Sequence, residues 1–190
     1  NAADVDLDNL TIGNVQNATN GTVAIVNGNI TFTPTANYNG VASFSYTIND
    51  GNGGTIVKTA NLTINPINDA PTLLNQTTTQ FVTEDKAFTF VVPSNTFSDI
   101  DSNNLILTAS LADGSKLPSW LSFNATAKTF VGIPDNSNVG TISVKLTAND
   151  GQLTVSETFD LKVINVNDAP TATLVSSFTN EDTVKIIDVL

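Results

Sequence analysis

The sequence predicts an all-β chain made of antiparallel β-sandwiches in tandem. Three observations support this fold class. Apolar residues recur at every second position over short runs, prolines and glycines separate those runs, and the pattern repeats after roughly 100 residues. No segment carries a sustained 3.6-residue apolar period, which is the mark of an amphipathic helix. Short strands at this spacing are typical of sandwiches.

In the first repeat, a predicted hairpin precedes a longer strand. The runs Ala24-Ile25-Val26 and Ile30-Thr31-Phe32 flank Asn27-Gly28, a dipeptide that favours the type I′ turn of a two-residue hairpin. Further along, alternate positions hold Ala42, Phe44, Tyr46 and Ile48. Because successive side chains of a strand point to opposite faces, this run predicts a half-buried strand.

The second repeat shows the same alternation in two later runs. These runs hold Ile142, Val144, Leu146 and Ala148, and then Phe159, Leu161 and Val163. The aromatic side chains of this half are expected in its core: Phe81, Phe88, Phe90, Trp120, Phe123, Phe130 and Phe159.

Four signatures define the repeat. Asn68-Asp69-Ala70-Pro71-Thr72 returns 99 positions later at Asn167, and Asn49-Asp50-Gly51 returns 100 positions later at Asn149. Asp4-Val5-Asp6 returns 95 positions later as Asp99-Ile100-Asp101, and Glu84-Asp85 returns 97 positions later as Glu181-Asp182. Four separate signatures at nearly one spacing indicate a unit of about 95 to 100 residues, so the chain holds two unit lengths.

Composition excludes several functions. The 190 residues include seven lysines and 18 acids, giving a net charge of −11, with no arginine, histidine, cysteine or methionine. A Ser-His-Asp triad, a thiol nucleophile and a Cys/His zinc site are therefore excluded. So acidic a chain without arginine is not expected to bind nucleic acid or an anionic membrane surface. No apolar run approaches the roughly 20 residues of a membrane helix, so no membrane insertion is expected.

The acids are concentrated in the repeated signatures, which together with the adjacent Asp8 account for 13 of the 18. Asp113, Asp135 and Glu157 lie outside them and are expected to be solvated surface charges. Carboxylates held close together favour either proton uptake or a bound cation. Asp-x-Asp alone is equally a turn with side-chain caps. With Asn-Asp-Ala-Pro and Asn-Asp-Gly nearby, the oxygen donors favour Ca²⁺, which accepts six to eight of them.

These residues resemble the calcium motifs of cadherins: the linker Asn68-Asp69-Ala70-Pro71, the Asp99-Ile100-Asp101 motif and Ala148-Asn149-Asp150-Gly151. Residues 84–88, 117–123, 132–134 and 140–141 resemble the dystroglycan-type cadherin-like domain. The first repeat is similar to cadherin-like repeats of large bacterial surface adhesins. The resemblance implies cadherin/immunoglobulin-like sandwiches in a row, with Ca²⁺ at their junctions. The acidic loop that cadherins carry before the linker is not evident, which implies fewer ions per junction.

Carried over residue by residue, the resemblance implies ligands for three junctions. The central junction takes Asn68, Asp69, Asp99, Asp101 and Asp150. The preceding junction takes Asp4, Asp6 and Asp50, and the following one takes Glu84, Asn167 and Asp168. Glu181 repeats the position of Glu84 and is expected to be a ligand in turn.

The repeat phase gives the expected domains. Residues 1–69 are expected to form a cadherin-like sandwich without its first strands, 70–168 a complete dystroglycan-type sandwich, and 169–190 the opening strands of a following repeat. Residues 171–190 would then continue a longer head-to-tail array, or complete the first sandwich of a neighbouring copy by strand addition.

The function expected from these features is a calcium-stiffened structural or extension repeat. It would belong to a secreted or cell-surface bacterial adhesin or an extracellular fibre. The alternative is a calcium-dependent module that binds a glycan or a peptide, which an exposed aromatic cluster beside a calcium would favour. An enzyme is not expected, because Asp113 and Asp135, the only pair considered for acid–base work, lack acidic or aromatic company.

Overall fold

The computed structural model describes residues 2–188, and within that range it contains fourteen strands and no α-helix. The all-β prediction is therefore confirmed. The strands are β1 Thr11–Thr19, β2 Gly21–Val26, β3 Asn29–Pro34, β4 Gly40–Asn49, β5 Thr55–Ile64, β6 Thr72–Leu73, β7 Gln80–Thr83, β8 Phe88–Val91, β9 Phe97–Ser98, β10 Ile106–Leu111, β11 Leu121–Asn124, β12 Thr129–Gly132, β13 Gly140–Asn149 and β14 Thr154–Ile164. One 3₁₀ turn, Asn136–Asn138, precedes β13.

The chain divides into two compact units. Unit 1 takes in the residues up to Asn75, together with Ser94–Leu107 and Thr147–Ser156. Unit 2 takes in Gln76–Pro93, Thr108–Leu146 and the residues from Glu157 onward. Unit 1 therefore contains the linker and all the acidic signatures near residues 99 and 150.

Unit 1 contains a three-stranded antiparallel sheet, β1-β4-β5, and the hairpin β2-β3. The hairpin turns at Asn27 and Gly28, which both adopt a positive φ, 49° and 78°. This conformation is that of a type I′ turn, so the hairpin prediction is confirmed. The short pair β6-β9 also lies in this unit.

The core of the first repeat is small. Between residues 2 and 66, Ala42 and Phe44 of β4 are the two buried apolar side chains, and the Phe44 ring stacks on Phe32 at 6.0 Å. Ile56 and Val57 of β5 stay about half exposed. The described residues of this repeat thus fill only part of a sandwich core.

The second repeat is built around a four-stranded sheet of order β10-β13-β14-β7 and a three-stranded sheet of order β11-β12-β8. The β7 strand pairs with β14 in parallel, from Gln80 opposite Leu161 to Thr83 opposite Ile164. The β8 strand pairs with β12 in antiparallel register. The opening strands β7 and β8 therefore close one edge of each sheet.

The core of unit 2 is aromatic and dense. The rings of Phe90, Phe130 and Phe159 meet at 5.7 to 6.3 Å, and Val144, Leu146 and Leu161 are buried around them. The expectation that Phe81 belongs to this core is wrong, because its side chain is 59% exposed. Phe81 lies on the opposite face of β7 from the buried Val82.

No strand is assigned between residue 165 and residue 188. This segment forms one turn, in which the Thr183 N–H donates to the Asn180 carbonyl at 3.3 Å. Its apolar side chains are exposed, with Phe178 at 90%. That residues 169–190 are opening strands stays a prediction, and residues 189 and 190 lie outside the described range.

Candidate metal centre

The linker of unit 1 is hydrogen-bonded to two acidic loops. The Asn68 amide donates to Asp150 Oδ2 at 2.8 Å, and the Asp69 backbone N–H donates to Asp101 Oδ2 at 2.7 Å. Four of the five residues predicted for the central junction are thereby joined in two pairs, Asn68 with Asp150 through side chains and Asp69 with Asp101 through the Asp69 backbone. The linker therefore donates one hydrogen bond to each of the two loops that carry Asp101 and Asp150.

Asp99 completes this group and has an oxygen with no partner. Its Oδ1 accepts the backbone N–H groups of Asp101 at 2.8 Å and Ser102 at 2.7 Å, which fixes the loop after β9. Its Oδ2 is buried and has no hydrogen-bond partner within the described residues. A buried carboxylate oxygen without a donor is costly, so this atom is placed to meet a cation or an ordered water.

A cavity of about 600 Å³ in unit 1 opens beside this group. It is lined by Asp69 and Asp99, by residues in or beside β6 and β9 (Ala70, Thr72, Ser98 and Ile100), and by Asn37 from the loop between β3 and β4. Asn37 has a left-handed backbone, with φ of 58°. Its amide oxygen is a suitable calcium donor. The sequence reasoning did not single out Asn37.

Asp150 is held ionised by its own loop. The backbone N–H of Leu153, the Asn68 amide and the backbone N–H of Gln152 all donate to its carboxylate, and in that order they lower its pKa. Hydrogen bonds to the charged form favour that form. The carboxylate therefore keeps its negative charge down to lower pH than an ordinary aspartate.

A second acidic group lies near the start of the chain. One carboxylate oxygen from each of Asp4, Asp6 and Asp8 falls within 4.8 Å of the others. The Asp4 carboxylate also accepts the Asp6 N–H at 2.8 Å. Asp50 and Asp4 line one cavity of about 200 Å³. The structure thus groups Asp4 and Asp6 with Asp8, which the sequence reasoning left unassigned, whereas Asp50 shares only a cavity with Asp4.

The third group lies in unit 2 around Glu84. This side chain is 1% exposed; its Oε1 accepts the Val166 N–H, and its Oε2 is buried with no partner in the described part of the chain. Asp168 accepts the Asn136 amide, and Asn167 donates weakly to the Asp168 carbonyl at 3.4 Å. The structure records no contact that joins Glu84 to Asp168 or Asn167 among the described residues.

The predicted ligand Glu181 lies apart from these three groups. It is in the exposed turn after Asn180 and contacts none of the other predicted ligands in residues 2–188.

The expectation that Glu157 is a solvated charge is wrong, because it is 4% exposed. Its carboxylate accepts the Thr77 hydroxyl at 2.5 Å and the Thr77 N–H at 2.7 Å.

The sequence does contain a signal for Asn37 and Asn136, two residues near these groups that were not predicted. Pro34 and Gly40 recur as Pro134 and Gly140, 100 positions later, and each pair brackets a loop before a long strand. One loop carries Asn37 and the other carries Asn136, which contacts Asp168. This fifth repeated signature would have directed attention to both loops.

The donor set fits calcium. The residues predicted for the central junction offer carboxylate and amide oxygens, and the sequence contains no histidine or cysteine to supply a nitrogen or sulfur ligand. Hard cations with flexible coordination take such donors. The buried, unpartnered Oδ2 of Asp99 is the structural observation that agrees with this chemistry.

The fold and these acidic linker loops define a class, that of tandem cadherin-like and immunoglobulin-like repeats, and the chain belongs to it. In particular, residues 1–65 match the family "Cadherin-like domain" and residues 70–164, half of the chain, match the family "Putative Ig domain". No curated protein sequence matches the chain. Cadherin-like domains generally bind Ca²⁺, and both kinds of repeat are typically extracellular and non-enzymatic.

Several solved structures are similar to the chain at low sequence identity. The human protocadherin-24 EC1-2 fragment has a TM-score of 0.59 at 17% identity, with 88% of this chain and 85% of that chain covered. Human mucin-like protocadherin EC1-2 has a TM-score of 0.49 at 15% identity, covering 83% and 84%. An endo-fucoidan hydrolase of glycoside hydrolase family 107 has a TM-score of 0.40 at 21% identity, covering 85% of this chain; the chain spans only 24% of that one.

Within the described range, no helix has the length and apolar character needed to cross a membrane.

Proposed function

We propose that the chain is a structural repeat of a bacterial cell-surface adhesin or extracellular fibre, stiffened by calcium at the junctions between repeats. Tandem cadherin-like and Ig-like repeats are consistent with an extracellular adhesion or extension module. Its partners are neighbouring repeats or copies arranged head to tail. The proposal that it has no enzymatic activity rests on the same family membership.

One observation carries the calcium assignment: Asp99 Oδ2 is buried and unpartnered, and Asp99 lines a cavity together with Asp69 and Asn37. The side chains that would hold the ion are those of Asn68, Asp69, Asp99, Asp101 and Asp150. When bound, Ca²⁺ supplies two positive charges and accepts several oxygens at once. The same chemistry assigns Asp4, Asp6 and Asp50 to a second site and Glu84, Asn167 and Asp168 to a third.

Electrostatics explains why these side chains alone do not fix a junction. Two carboxylates about 4 Å apart repel by about 1 to 4 kcal/mol, depending on the local dielectric. The hydrogen bonds from Asn68 and from the Asp69 N–H offset part of that repulsion. A linker held by two such bonds is ordered locally and still depends on the charge of the carboxylates around it.

The positions of the aromatic rings favour the extension role over glycan or peptide binding. The recorded ring contacts of the second repeat join Phe90, Phe123, Phe130 and Phe159 inside the sandwich. Among the residues that line the two cavities beside Asp69, Tyr38 is the one aromatic side chain. Its hydroxyl donates to the Val41 carbonyl at 2.7 Å, so it is engaged within the chain.

Calcium titration by isothermal calorimetry tests the assignment with a matched pair of variants. Asp99→Asn removes one charge but keeps an oxygen for the two N–H groups of the loop, whereas Asp113→Asn removes one charge from an exposed turn of unit 2. We expect the wild type to bind with a Kd of about 10⁻⁴ to 10⁻³ M. We expect Asp99→Asn to weaken the tightest site at least tenfold and Asp113→Asn to leave it unchanged. Equal affinities in both variants would remove the basis of the proposal.

A further inference from the structure

The loop between β3 and β4, residues 35–39, contributes to both cavities that Asp69 lines. One cavity, of about 350 Å³, also takes in Asp101, and the other, of about 600 Å³, takes in Asp99. Asn37 is the residue of this loop that lines both of them. The conformation of the loop therefore sets where one amide side chain stands relative to the proposed calcium ligands.

The second repeat shows what an asparagine at this position contacts. Asn37 and Asp69 recur 99 positions later as Asn136 and Asp168. In unit 2 the Asn136 amide donates to the Asp168 carboxylate. Because both residues recur at the same offset, the loop asparagine of each repeat is paired with the linker aspartate of that repeat. We therefore expect Asn37 to meet Asp69 or a cation that Asp69 binds.

The two loops are held in shape by different means. In unit 2 the Asp135 side chain caps the 3₁₀ turn Asn136–Asn138 by accepting the Ser137 N–H at 2.9 Å. No 3₁₀ turn is assigned to residues 35–39, all of which the structure describes. Asn37 instead has a left-handed backbone with φ of 58°, a conformation that few residues other than glycine adopt. The loop of the first repeat therefore needs another support.

That support comes from Asn20, the residue between β1 and β2. The Thr35 N–H donates to the Asn20 carbonyl at 3.0 Å, and the Asn20 amide donates to the Tyr38 hydroxyl at 2.8 Å. The Asn20 amide and the Tyr38 hydroxyl also donate to the Val41 carbonyl, at 3.0 and 2.7 Å. The loop is thus attached on both sides of Asn37.

We infer that Asn20 and Tyr38 are positioning residues of the calcium centre, because their hydrogen bonds hold the loop with Asn37 directed at Asp69. The inference rests on the proposed function and adds two residues that act through Asn37. A loop already held in its bound conformation loses little conformational entropy when an ion binds. Without the Tyr38 hydroxyl the loop has to be ordered on binding, which lowers the affinity.

Calcium titration by calorimetry of the full chain tests this inference with a matched tyrosine. Tyr38→Phe removes one hydroxyl, and Tyr46→Phe removes that of the other tyrosine in the sequence, on β4. We expect Tyr38→Phe to weaken calcium binding by about five- to tenfold, which corresponds to ordering roughly one backbone residue. Tyr46→Phe should leave the affinity unchanged. An unchanged affinity in Tyr38→Phe would overturn the inference.

A core variant separates positioning from a general loss of stability. Phe44→Leu removes the ring that stacks on Phe32 and lies outside the loop. In urea denaturation followed by circular dichroism with a chelator, we expect Phe44→Leu to be less stable than Tyr38→Phe. In calorimetry, Phe44→Leu should keep the calcium affinity of the wild type. If affinity fell in step with stability in both variants, the role of Tyr38 would be structural only and the inference would be wrong.

A double-mutant cycle tests whether Tyr38 acts through Asn37. Asn37→Gly removes the amide and permits the left-handed backbone. We expect Asn37→Gly to weaken calcium binding, and Tyr38→Phe to weaken it by less than about twofold more in that background. Two losses that multiply in full would overturn the inference.

The variant Asp99→Asn distinguishes failure of this inference from failure of the proposed function. If Asp99→Asn weakens calcium binding and Tyr38→Phe does not, the calcium centre is retained and the positioning role alone is refuted. A wild type that binds no calcium would refute both.

Discussion

The pKa values of two carboxylates in this chain are lowered by the turns that they cap. Asp113 lies in the turn after β10, and its pKa is lowered first by the Ser115 hydroxyl and then by the Ser115 backbone N–H. Hydrogen bonds from Leu153, Asn68 and Gln152 lower the pKa of Asp150 in the same way. Both side chains stay ionised because the donors face the charged form, and neither needs burial or an opposite charge.

The replacement Ser115→Ala should raise the pKa of Asp113 toward the ordinary value of about 3.9. Because the folded-state pKa is lowered, the stabilisation from this turn is present above the unfolded pKa and is lost as the pH falls through the folded pKa. The variant should therefore lose it at a higher pH. Carbon-detected NMR titration of the Asp113 carboxyl measures the shift, with Ser122→Ala as control. An unchanged titration curve would show that the hydroxyl does not contribute.

Burial is the residue property that the sequence reasoning handled least well. Glu157 and Asp113 both lie outside the repeated signatures, yet Glu157 is buried and Asp113 is exposed. The reason is a partner 80 positions away, Thr77, which provides two donors to Glu157. A local pattern carries no information about such a partner, whereas the acids of the repeated signatures could be recognised from spacing alone.

The opening strand of the second repeat is attached to its sandwich by that same pair. Thr77 precedes β7, Glu157 lies on β14, and Gln76 donates to the Thr158 carbonyl at 2.8 Å. A buried carboxylate with two donors is stabilising only while both donors remain. This attachment places β7 in register with β14, which puts Glu84 at the end of the strand.

Shortening Thr77 should therefore destabilise the second repeat. We expect Thr77→Ala to lower the free energy of unfolding by about 1 to 2 kcal/mol, since one buried hydrogen bond to a charged group is lost. Thr77→Ser retains the hydroxyl and should recover most of that loss. Urea denaturation followed by Trp120 fluorescence measures both. The neighbouring Thr78→Ala, at an exposed position, should change it by less than about 0.5 kcal/mol; equal losses at the two positions would contradict this role for Thr77.

Among the strands, those with clear apolar alternation could be predicted from the sequence. Which side chains of the short strands face the core could be predicted less well. The hairpin around Asn27-Gly28, the long β4 and β13, and the core run of β14 all follow from period-two patterns and turn residues. On β7, the pattern Gln80-Phe81-Val82-Thr83 has two adjacent apolar residues, so it does not reveal which one faces inward. Packing against β14 decides for Val82, and Phe81 is left outside.

At the scale of the whole molecule, the internal sequence repeat determined how much of the domain organisation could be predicted. Four signatures at nearly one spacing were enough to predict tandem sandwiches, and the family matches agree with that organisation. The buried, unpartnered oxygens of Asp99 and Glu84 could not be predicted from the sequence, because burial and hydrogen bonding of a side-chain atom are visible only once the chain is folded.

Removing calcium should loosen the whole chain if the proposed function is correct. We expect small-angle scattering to show a broader distribution of interatomic distances with a chelator than with 5 mM Ca²⁺, a concentration above the roughly millimolar affinity of such sites. The melting temperature should also fall, because an ion that binds the folded state alone stabilises it. Asp99→Asn should reduce the difference between the two conditions. Superimposable scattering with and without calcium would contradict the stiffening role.

The parallel pairing of β7 with β14 has a mechanical consequence. A pull on the chain before β7 and after β14 acts on two adjacent parallel strands in opposite directions along their length. The backbone hydrogen bonds from the Gln80–Leu161 pair to the Thr83–Ile164 pair are then loaded in shear, all together, instead of opening one after another as in a peeled hairpin. A repeat under tension would therefore resist first at this four-residue patch, so extension of the chain would be opposed by the strand pair that closes the sandwich.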